Sequence, residues 1–173
     1  MIKVLVVDPS FRNTGWAVIH AHAKGERAVN VGVIRTKKGD GYVGEDNERC
    51  SRIIASKLDQ IIRAHKPVVI FAEAQAGSKS SKASQLMGMG WGVLATCAEL
   101  HGLPIVQARP QQIKKALTGD KSATKEEIER VVALDFPELE TMLEELKPKS
   151  VHEHVYDAVA VFVALRDEVA NYE

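Results

Sequence analysis

Four side chains of this sequence are of types that bind a divalent cation, and each lies near the end of a segment predicted to be buried. Asp8 follows the apolar run at residues 2–7, and Glu73 ends a second apolar run. His154 and Asp157 are three residues apart in the last predicted helix and therefore share one helix face. Carboxylates are rarely buried without a partner. Converging carboxylates and an imidazole suit hard divalent cations, and two such ions can support phosphodiester cleavage.

Each of these residues also has a plainer interpretation. Asp8 could begin a turn, and Asp157 could bridge to a neighbour along its helix. Glu73 could pair with Lys79 or Lys82, which follow it in a polar segment. The sequence alone does not show that the four side chains meet.

The elements that position these residues follow from hydrophobic periodicity and turn residues. The first three strands have connections too short for crossover helices, so they should pair antiparallel. Helices and strands then alternate, which is typical of parallel crossovers. The predicted strands are residues 2–7, 15–20, 29–36, 68–72 and 104–107, and the predicted helices are residues 45–65, 84–101, 110–117 and two that begin after Thr124 and near Val151. The predicted fold class is α/β, with three antiparallel strands and then parallel strands in one sheet flanked by helices.

Two helix starts carry the capping-box spacing, in which a Ser or Thr side chain and a Glu three residues later satisfy exposed backbone amides. The pairs are Thr124 with Glu127 and Ser150 with Glu153. We therefore expect a helix to begin at each site.

Length and composition indicate a single domain over residues 1–173. The chain has 173 residues and 45% apolar content, enough for one sizeable core. It has no apolar run of membrane-spanning length, and its N-terminus lacks the pattern of a signal peptide, so we expect a cytoplasmic protein without a membrane partner. Cys50 and Cys97 lie in predicted helices without a metal-type spacing and should be reduced thiols.

Charge is segregated along the chain although the formal net charge is zero. The charged residues of 109–125 are basic except for Asp120, whereas those of 126–147 are mostly carboxylates. A basic stretch of this kind can neutralise phosphates, and a solvated helix face is the alternative. The basic residues are Arg109, Lys114, Lys115, Lys121 and Lys125.

Four segments together resemble the motif regions of RuvC-type Holliday junction resolvases, in order and over nearly the whole chain. The resemblance implies an RNase H-like nuclease fold of the retroviral-integrase superfamily. It also implies a homodimer that binds a four-way DNA junction and nicks two opposing strands symmetrically in recombination and repair, with Mg²⁺ or Mn²⁺ as cofactor. The segments are VVDPSFRNTGWAVI (6–19), VIFAEAQ (69–75), ARPQQIKKALTGDKSATKEEI (108–128) and HEHVYDAVAVFVA (152–164).

By this resemblance, Asp8, Glu73 and Asp157 match the acidic residues of the family that hold the metal. His154 matches a position that carries aspartate or histidine, where it would bind metal or assist the attacking water. The DNA contacts implied or suggested by position are Lys114, Lys125, Lys115, Lys79 and Lys82. A branch-migration helicase is a further candidate partner, and the host could be a bacterium or a phage-infected cell.

Two positions depart from the family pattern. Family members commonly have an aromatic residue three positions after the glutamate, where this sequence has Ala76, and Ser10 replaces a glycine in the first motif. The first change weakens any claim about the sequence preferred at the cut site. Stacking or dimer contacts could come from other large side chains, for which buried packing is the alternative. These are Phe11, Trp16, Met87, Met89 and Trp91.

Three other functions compete with junction resolution. A nuclease of broader scope would cut flapped or forked DNA, and the missing aromatic residue favours it. A junction-binding protein without turnover would gain nothing from negative charge gathered near phosphates. A strand that ends in aspartate before a glycine turn also begins actin-like ATPases, but such an enzyme needs a second nucleotide-binding lobe, for which we expect no room in 173 residues.

Overall fold

The strands of this protein form one mixed sheet. The computed structural model describes residues 1–22, 25–75 and 80–173. The strands are β1 (Ile2–Asp8), β2 (Asn13–His22), β3 (Gly25–Arg35), β4 (Val69–Glu73) and β5 (Ile105–Ala108). In space the described strands lie in the order β3-β2-β1-β4-β5. β1 pairs antiparallel with β2, and β2 pairs antiparallel with β3, whereas β4 is parallel to both β1 and β5. The predicted fold class is confirmed.

Six helices of the described residues accompany the sheet. They are α1 (Val43–His65), α2 (Ser81–Leu100), α3 (Pro110–Thr118), α4 (Lys125–Asp135), α5 (Leu139–Glu144) and α6 (His152–Ala164). Short 3-10 segments at Lys149–Val151 and Arg166–Tyr172 precede and follow α6. Among these described helices, none combines the length and the apolar composition that crossing a lipid bilayer requires.

Helices cover both faces of the sheet because alternate residues of each strand point to opposite sides. In β1, Val4 and Val6 join a buried cluster with α3 to α6, and Phe162 of α6 lies at its centre. Leu5 and Val7 join the cluster on the other face, which α1 and α2 complete. The central strand is therefore apolar and buried on both faces from Val4 to Val7, and the carboxylate of Asp8 follows directly at its end.

The two predicted capping boxes have different outcomes. Thr124 caps α4 as predicted, since its backbone amide donates to Glu127 at 2.8 Å and its hydroxyl accepts from the Glu127 amide at 3.3 Å. The box predicted at Ser150 and Glu153 is wrong. A 3-10 turn already occupies the residues before α6, whose N-cap is Val151, and the Glu153 carboxylate contacts Lys125 instead.

Four of the large side chains considered for stacking or dimer contacts, and both thiols, pack in the cluster on the α1 and α2 face. Phe11 is fully buried there, and Trp16, Met89 and Trp91 are partly buried against the same cluster. The cysteines, Cys50 and Cys97, are free and buried, as expected from the sequence. Buried packing is thus confirmed for Phe11.

Candidate active site

Strand register places the two strand-end carboxylates side by side. β1 and β4 are parallel neighbours, and Val7 pairs with Ala72. The next residue on each strand, Asp8 and Glu73, therefore lies at the same edge of the sheet. Parallel strands present their carboxyl ends at one edge, which is the usual place for a site in such sheets.

Helix α6 brings the other two predicted residues to this edge. It packs across β1 and β2, and His154 and Asp157 lie one turn apart on the face toward the sheet. The His154 Nδ1 atom is 3.8 Å from the Asp8 Oδ2 atom. One potential ligand atom from each of Asp8, His154 and Asp157 lies within 4.8 Å of the others. The structure thus brings together residues that are about 150 positions apart in the sequence.

The site concentrates negative charge in a partly buried place. Burial, together with the charges of Asp8 and Asp157, raises the pKa of Glu73 to about 7, although the Lys125 ammonium acts in the opposite direction. Burial also raises the pKa of Asp157, with Lys125 opposing and Asp8 adding to the effect. Both shifts come first from burial and then from neighbouring carboxylates, a combination expected where a cation would compensate the charge.

The donor set fits a divalent cation. Carboxylate oxygens are the ligands that Mg²⁺ and Mn²⁺ prefer, and an imidazole nitrogen is compatible with Mn²⁺ and other transition metals. Asp8, His154 and Asp157 are close enough to share one ion, and Glu73 is near enough to respond to their charge. Metal-assisted hydrolysis is the chemistry that this arrangement can support.

A pocket of about 200 Å³ opens beside these residues. Glu73 and Asp157 line it together with Lys114, Thr124 and Lys125. The other lining residues are Pro110, Ile113, Ile128 and Ala160. The pocket therefore combines anionic and cationic groups, and Lys125 lies 3.2 Å from Asp157 Oδ2.

The two lysines of the pocket are held by different partners. The Lys114 ammonium donates to the Ala123 carbonyl at 2.7 Å. The Lys125 ammonium forms an ion pair with Glu153 and lies 3.2 Å from the Asp157 Oδ2 atom. Asp157 thus pairs with a lysine of another helix, α4, and this contact differs from the local bridge of the plainer interpretation.

Of the remaining predicted DNA-binding lysines, the two that the structure describes do not line the pocket. Lys115 is exposed on α3, and Lys82 is exposed in the first turn of α2. Lys79 and Ala76 lie outside the described residues. The structure therefore brings Lys114 and Lys125 to the candidate site and leaves Lys115 and Lys82 on the surface.

Sequence reasoning missed two carboxylates beside the site. Glu153 was assigned to a helix cap, but it holds Lys125. Glu129 lies near Asp157 and Lys125, and burial with the Asp157 charge raises its pKa. The four-residue spacing of Lys125 and Glu129 on a helix could have identified Glu129 as a neighbour of Lys125.

Comparisons with known proteins identify the family. The model of the family described as Crossover junction endodeoxyribonuclease RuvC matches residues 4–165. A protein of that name from Chromohalobacter salexigens is 31% identical over 129 residues, and the alignment spans 75% of this chain and just under two thirds (66%) of that relative. One from a Synechococcus species is 34% identical over 127 residues, which cover 73% of this chain and 79% of that protein.

The fold has a close counterpart among solved structures. RuvC of T. thermophilus, in complex with a Holliday junction substrate, superposes with a TM-score of 0.78 at 22% identity, covering 98% of this chain and 95% of that one. The family match includes Asp8, Glu73, His154 and Asp157 and all five strands except the first two residues of β1. The chain belongs to the RuvC family of crossover junction endodeoxyribonucleases.

Proposed function

We propose that this protein is a DNA endonuclease that resolves Holliday junctions by metal-dependent, symmetric phosphodiester hydrolysis in recombination and repair. The observation that carries the proposal is the convergence of Asp8, His154 and Asp157 within 4.8 Å, with Glu73 on the adjacent strand end. The family membership gives the reaction class. The substrate is DNA with four branches, by analogy with relatives that carry the name crossover junction endodeoxyribonuclease.

Asp8, Glu73, His154 and Asp157 would hold the cofactor, for which Mg²⁺ or Mn²⁺ is proposed. When bound, the cation supplies a Lewis acid for the scissile phosphate and a water of lowered pKa. The carboxylates of this chain fix where that cation lies. His154 either binds through a neutral ring nitrogen or accepts a proton from the attacking water, and an imidazole is chemically suited to both roles.

The lysines of the pocket bind the substrate backbone. Lys114 and Lys125 line the same pocket as Glu73 and Asp157, where they contact a phosphate and stabilise charge that develops in the transition state. Lys115, Lys82 and Lys79 extend the contacts along the DNA arms. Contacts of this kind give affinity rather than sequence preference.

Two symmetric nicks need two active sites, so the functional unit is a homodimer of this chain. A branch-migration helicase is proposed as the partner that delivers the junction. The proposed place of action is the cytoplasm of a bacterium, including one infected by a phage. The second candidate function is a broader nuclease for flaps and forks, which the alanine at position 76 favours.

The test is cleavage of a synthetic four-way junction beside a linear duplex, a flap and a fork of the same sequence, with Mg²⁺ and with chelator. Paired symmetric nicks in the junction alone, with metal only, are the expected result. Equal cutting of flap and fork would favour the broader nuclease, and tight binding without cutting would favour a binding protein.

The matched variants are Asp8→Asn and Asp40→Asn, which make the same chemical change inside and outside the site. Asp8→Asn should abolish cleavage and leave junction binding intact or tighter, because it removes negative charge near phosphate. Asp40 is exposed in the segment before α1, so its variant should cut like the parent protein. Full activity of Asp8→Asn would overturn the assignment of the site.

A further inference from the structure

Lys125 is shared between two carboxylates, of which Asp157 lines the pocket. Its ammonium pairs with Glu153 and lies 3.2 Å from Asp157 Oδ2. Lys125 is the first residue of α4, and Glu153 is the second residue of α6. The contact therefore joins the starts of two helices beside the site.

The two carboxylates differ in their access to solvent. The side chain of Glu153 is 43% exposed, whereas that of Asp157 is 24% exposed. An ammonium interacts more strongly with the less solvated carboxylate when both are within reach. Without Glu153, Lys125 would move toward Asp157, where it would compete with a cation for the same oxygens.

The contact has little to do with holding the fold together. Ion pairs between side chains as exposed as Lys125 and Glu153 add little to folding stability. Glu153 does not cap its helix, and α6 is anchored to the sheet by its buried apolar residues. The position of the Lys125 ammonium is what the contact determines.

We propose that Glu153 is a positioning residue that keeps the Lys125 ammonium at the rim of the pocket, between the entering phosphate and Asp157. Glu153 thereby lowers the affinity for DNA and raises the rate of turnover. The proposal rests on the proposed nuclease function, in which Lys125 contacts phosphate. Glu153 lowers affinity because it neutralises part of the Lys125 charge and adds its own repulsion toward DNA. It raises turnover because it competes with Asp157 for the Lys125 ammonium and so leaves the Asp157 oxygens more available to the metal.

The test compares Glu153→Gln, Lys125→Ala and the double variant, with Glu126→Gln as the matched control. Glu126 is an exposed residue that follows Lys125 directly and carries the same charge. Junction binding is measured in chelator over a range of salt concentrations. We expect Glu153→Gln to bind more tightly and to show a salt slope steeper by up to about one unit, since a lysine is released to phosphate.

Single-turnover cleavage at saturating junction gives the second readout. Glu153→Gln should be slower by on the order of tenfold, because a catalytic ammonium is misplaced. In the Lys125→Ala background the same change should have no further effect, and Glu153→Asp should recover part of the rate. Tighter binding with slower cleavage is a combination that simple loss of structure does not produce.

A third readout needs neither DNA nor turnover. Calorimetric titration with Mn²⁺ alone should show weaker binding to Glu153→Gln than to Glu126→Gln, and the difference should vanish when Lys125 is alanine. An Mn²⁺ affinity that falls equally in both glutamine variants would overturn the proposal. So would a Glu153→Gln protein with the parent's cleavage rate and salt slope, or a double variant slower than Lys125→Ala.

If the parent protein cuts no branched DNA, the proposed function fails, while the Mn²⁺ titration still decides the role of Glu153.

Discussion

Gly15 of β2 lies directly against the main-chain carbonyl group of His154. A Cβ atom at position 15 would be 1.8 Å from the His154 oxygen and 2.4 Å from its carbonyl carbon. Gly15 is also the residue that pairs with Asp8 across the antiparallel ladder. The missing side chain in β2 is therefore what allows α6 to approach the sheet where β1 ends, and it sets the distance between His154 and Asp8.

We predict that Gly15→Ala displaces the start of α6 and disrupts the acidic site. The new methyl group would collide with the main chain of His154, which cannot rotate away as a side chain can. The free energy of unfolding should therefore fall by about 3 kcal/mol. Stabilisation by Mg²⁺ should be lost as well, since two ligands move with the helix. Urea denaturation with and without Mg²⁺ measures both effects.

The control is Gly44→Ala in the first turn of α1. A Cβ atom there meets no atom within 4 Å, and the residue is exposed. Its stability should be unchanged or higher by less than about 1 kcal/mol, because alanine loses less conformational freedom on folding. Equal stability of the two variants would show that α6 does not depend on Gly15.

The positions of Asp8 and Glu73 at strand ends could be predicted from the sequence because each follows an apolar run. The structure adds that β1 and β4 are parallel neighbours, so that the two carboxylates share one edge of the sheet. The polar pair on α6 could likewise be assigned to one face from its three-residue spacing. In both cases a local pattern carries the information.

Contacts between distant segments could not be predicted in the same way. Ser150 and Glu153 have the spacing of a capping box, but a 3-10 turn at Lys149–Val151 and the nearby Lys125 ammonium determine the outcome. Lys125 is 28 residues from Glu153, and no periodicity links them. The fit of Gly15 beneath His154 depends on the angle and position at which α6 crosses the sheet. No local sequence pattern predicts that geometry.

The pKa of Glu73 predicts how the metal-free protein responds to pH. Its pKa in the folded state is raised from 4.5 to about 7, so folding favours the protonated form. The stabilisation is fully present below pH 4.5 and is lost as pH rises through about 7. In chelator, Glu73→Gln should therefore match the parent protein near pH 4.5 and exceed its free energy of unfolding by about 1–3 kcal/mol at pH 8.

Urea denaturation of both proteins at several pH values measures this difference. Addition of Mg²⁺ at pH 8 should stabilise the parent protein and leave Glu73→Gln little changed, because the amide is a poorer ligand. Glu126→Gln, an exposed substitution of the same type, should show no pH-dependent gain. A constant difference between Glu73→Gln and the parent across this range would mean that Glu73 does not titrate near neutrality.

Lys114 and Lys115 are adjacent in sequence but should contribute differently. Lys114 lines the pocket, whereas Lys115 is exposed on α3. We predict that each alanine variant reduces the salt slope of junction binding by about one unit. Lys114→Ala should in addition slow single-turnover cleavage by about 10–100-fold, since a cation near the scissile phosphate is lost. Equal cleavage rates of the two variants would place Lys114 outside the catalytic machinery, and unchanged slopes would assign both lysines to the solvent.

Asp46 of α1 anchors the connection between β1 and β2, which is the segment that follows Asp8. It accepts hydrogen bonds from Arg12 Nη2 at 2.8 Å, from the Gly39 amide at 2.8 Å and from Arg49 Nη2 at 2.6 Å. These bonds, with that of Arg12 the strongest, hold the pKa of Asp46 well below its usual value of 3.8. Arg12 belongs to the connection between β1 and β2, so Asp46 ties the segment after Asp8 to α1.

A depressed pKa means that the ionised carboxylate stabilises the fold above pH 3.8 and that this contribution is lost as pH falls below that value. We predict that Asp46→Asn lowers the melting temperature at neutral pH, because an amide cannot neutralise two guanidinium groups. The gap between the variant and the parent protein should close progressively as the pH falls below 3.8, where the parent loses the same interaction. Thermal melts from pH 7 downward, with the exposed substitution Asp40→Asn as control, follow both curves. Parallel curves would show that the ionised form of Asp46 contributes nothing to the fold, and that other contacts of the connection after Asp8, such as the Thr36 hydroxyl donating to the Phe11 carbonyl, are sufficient to hold it.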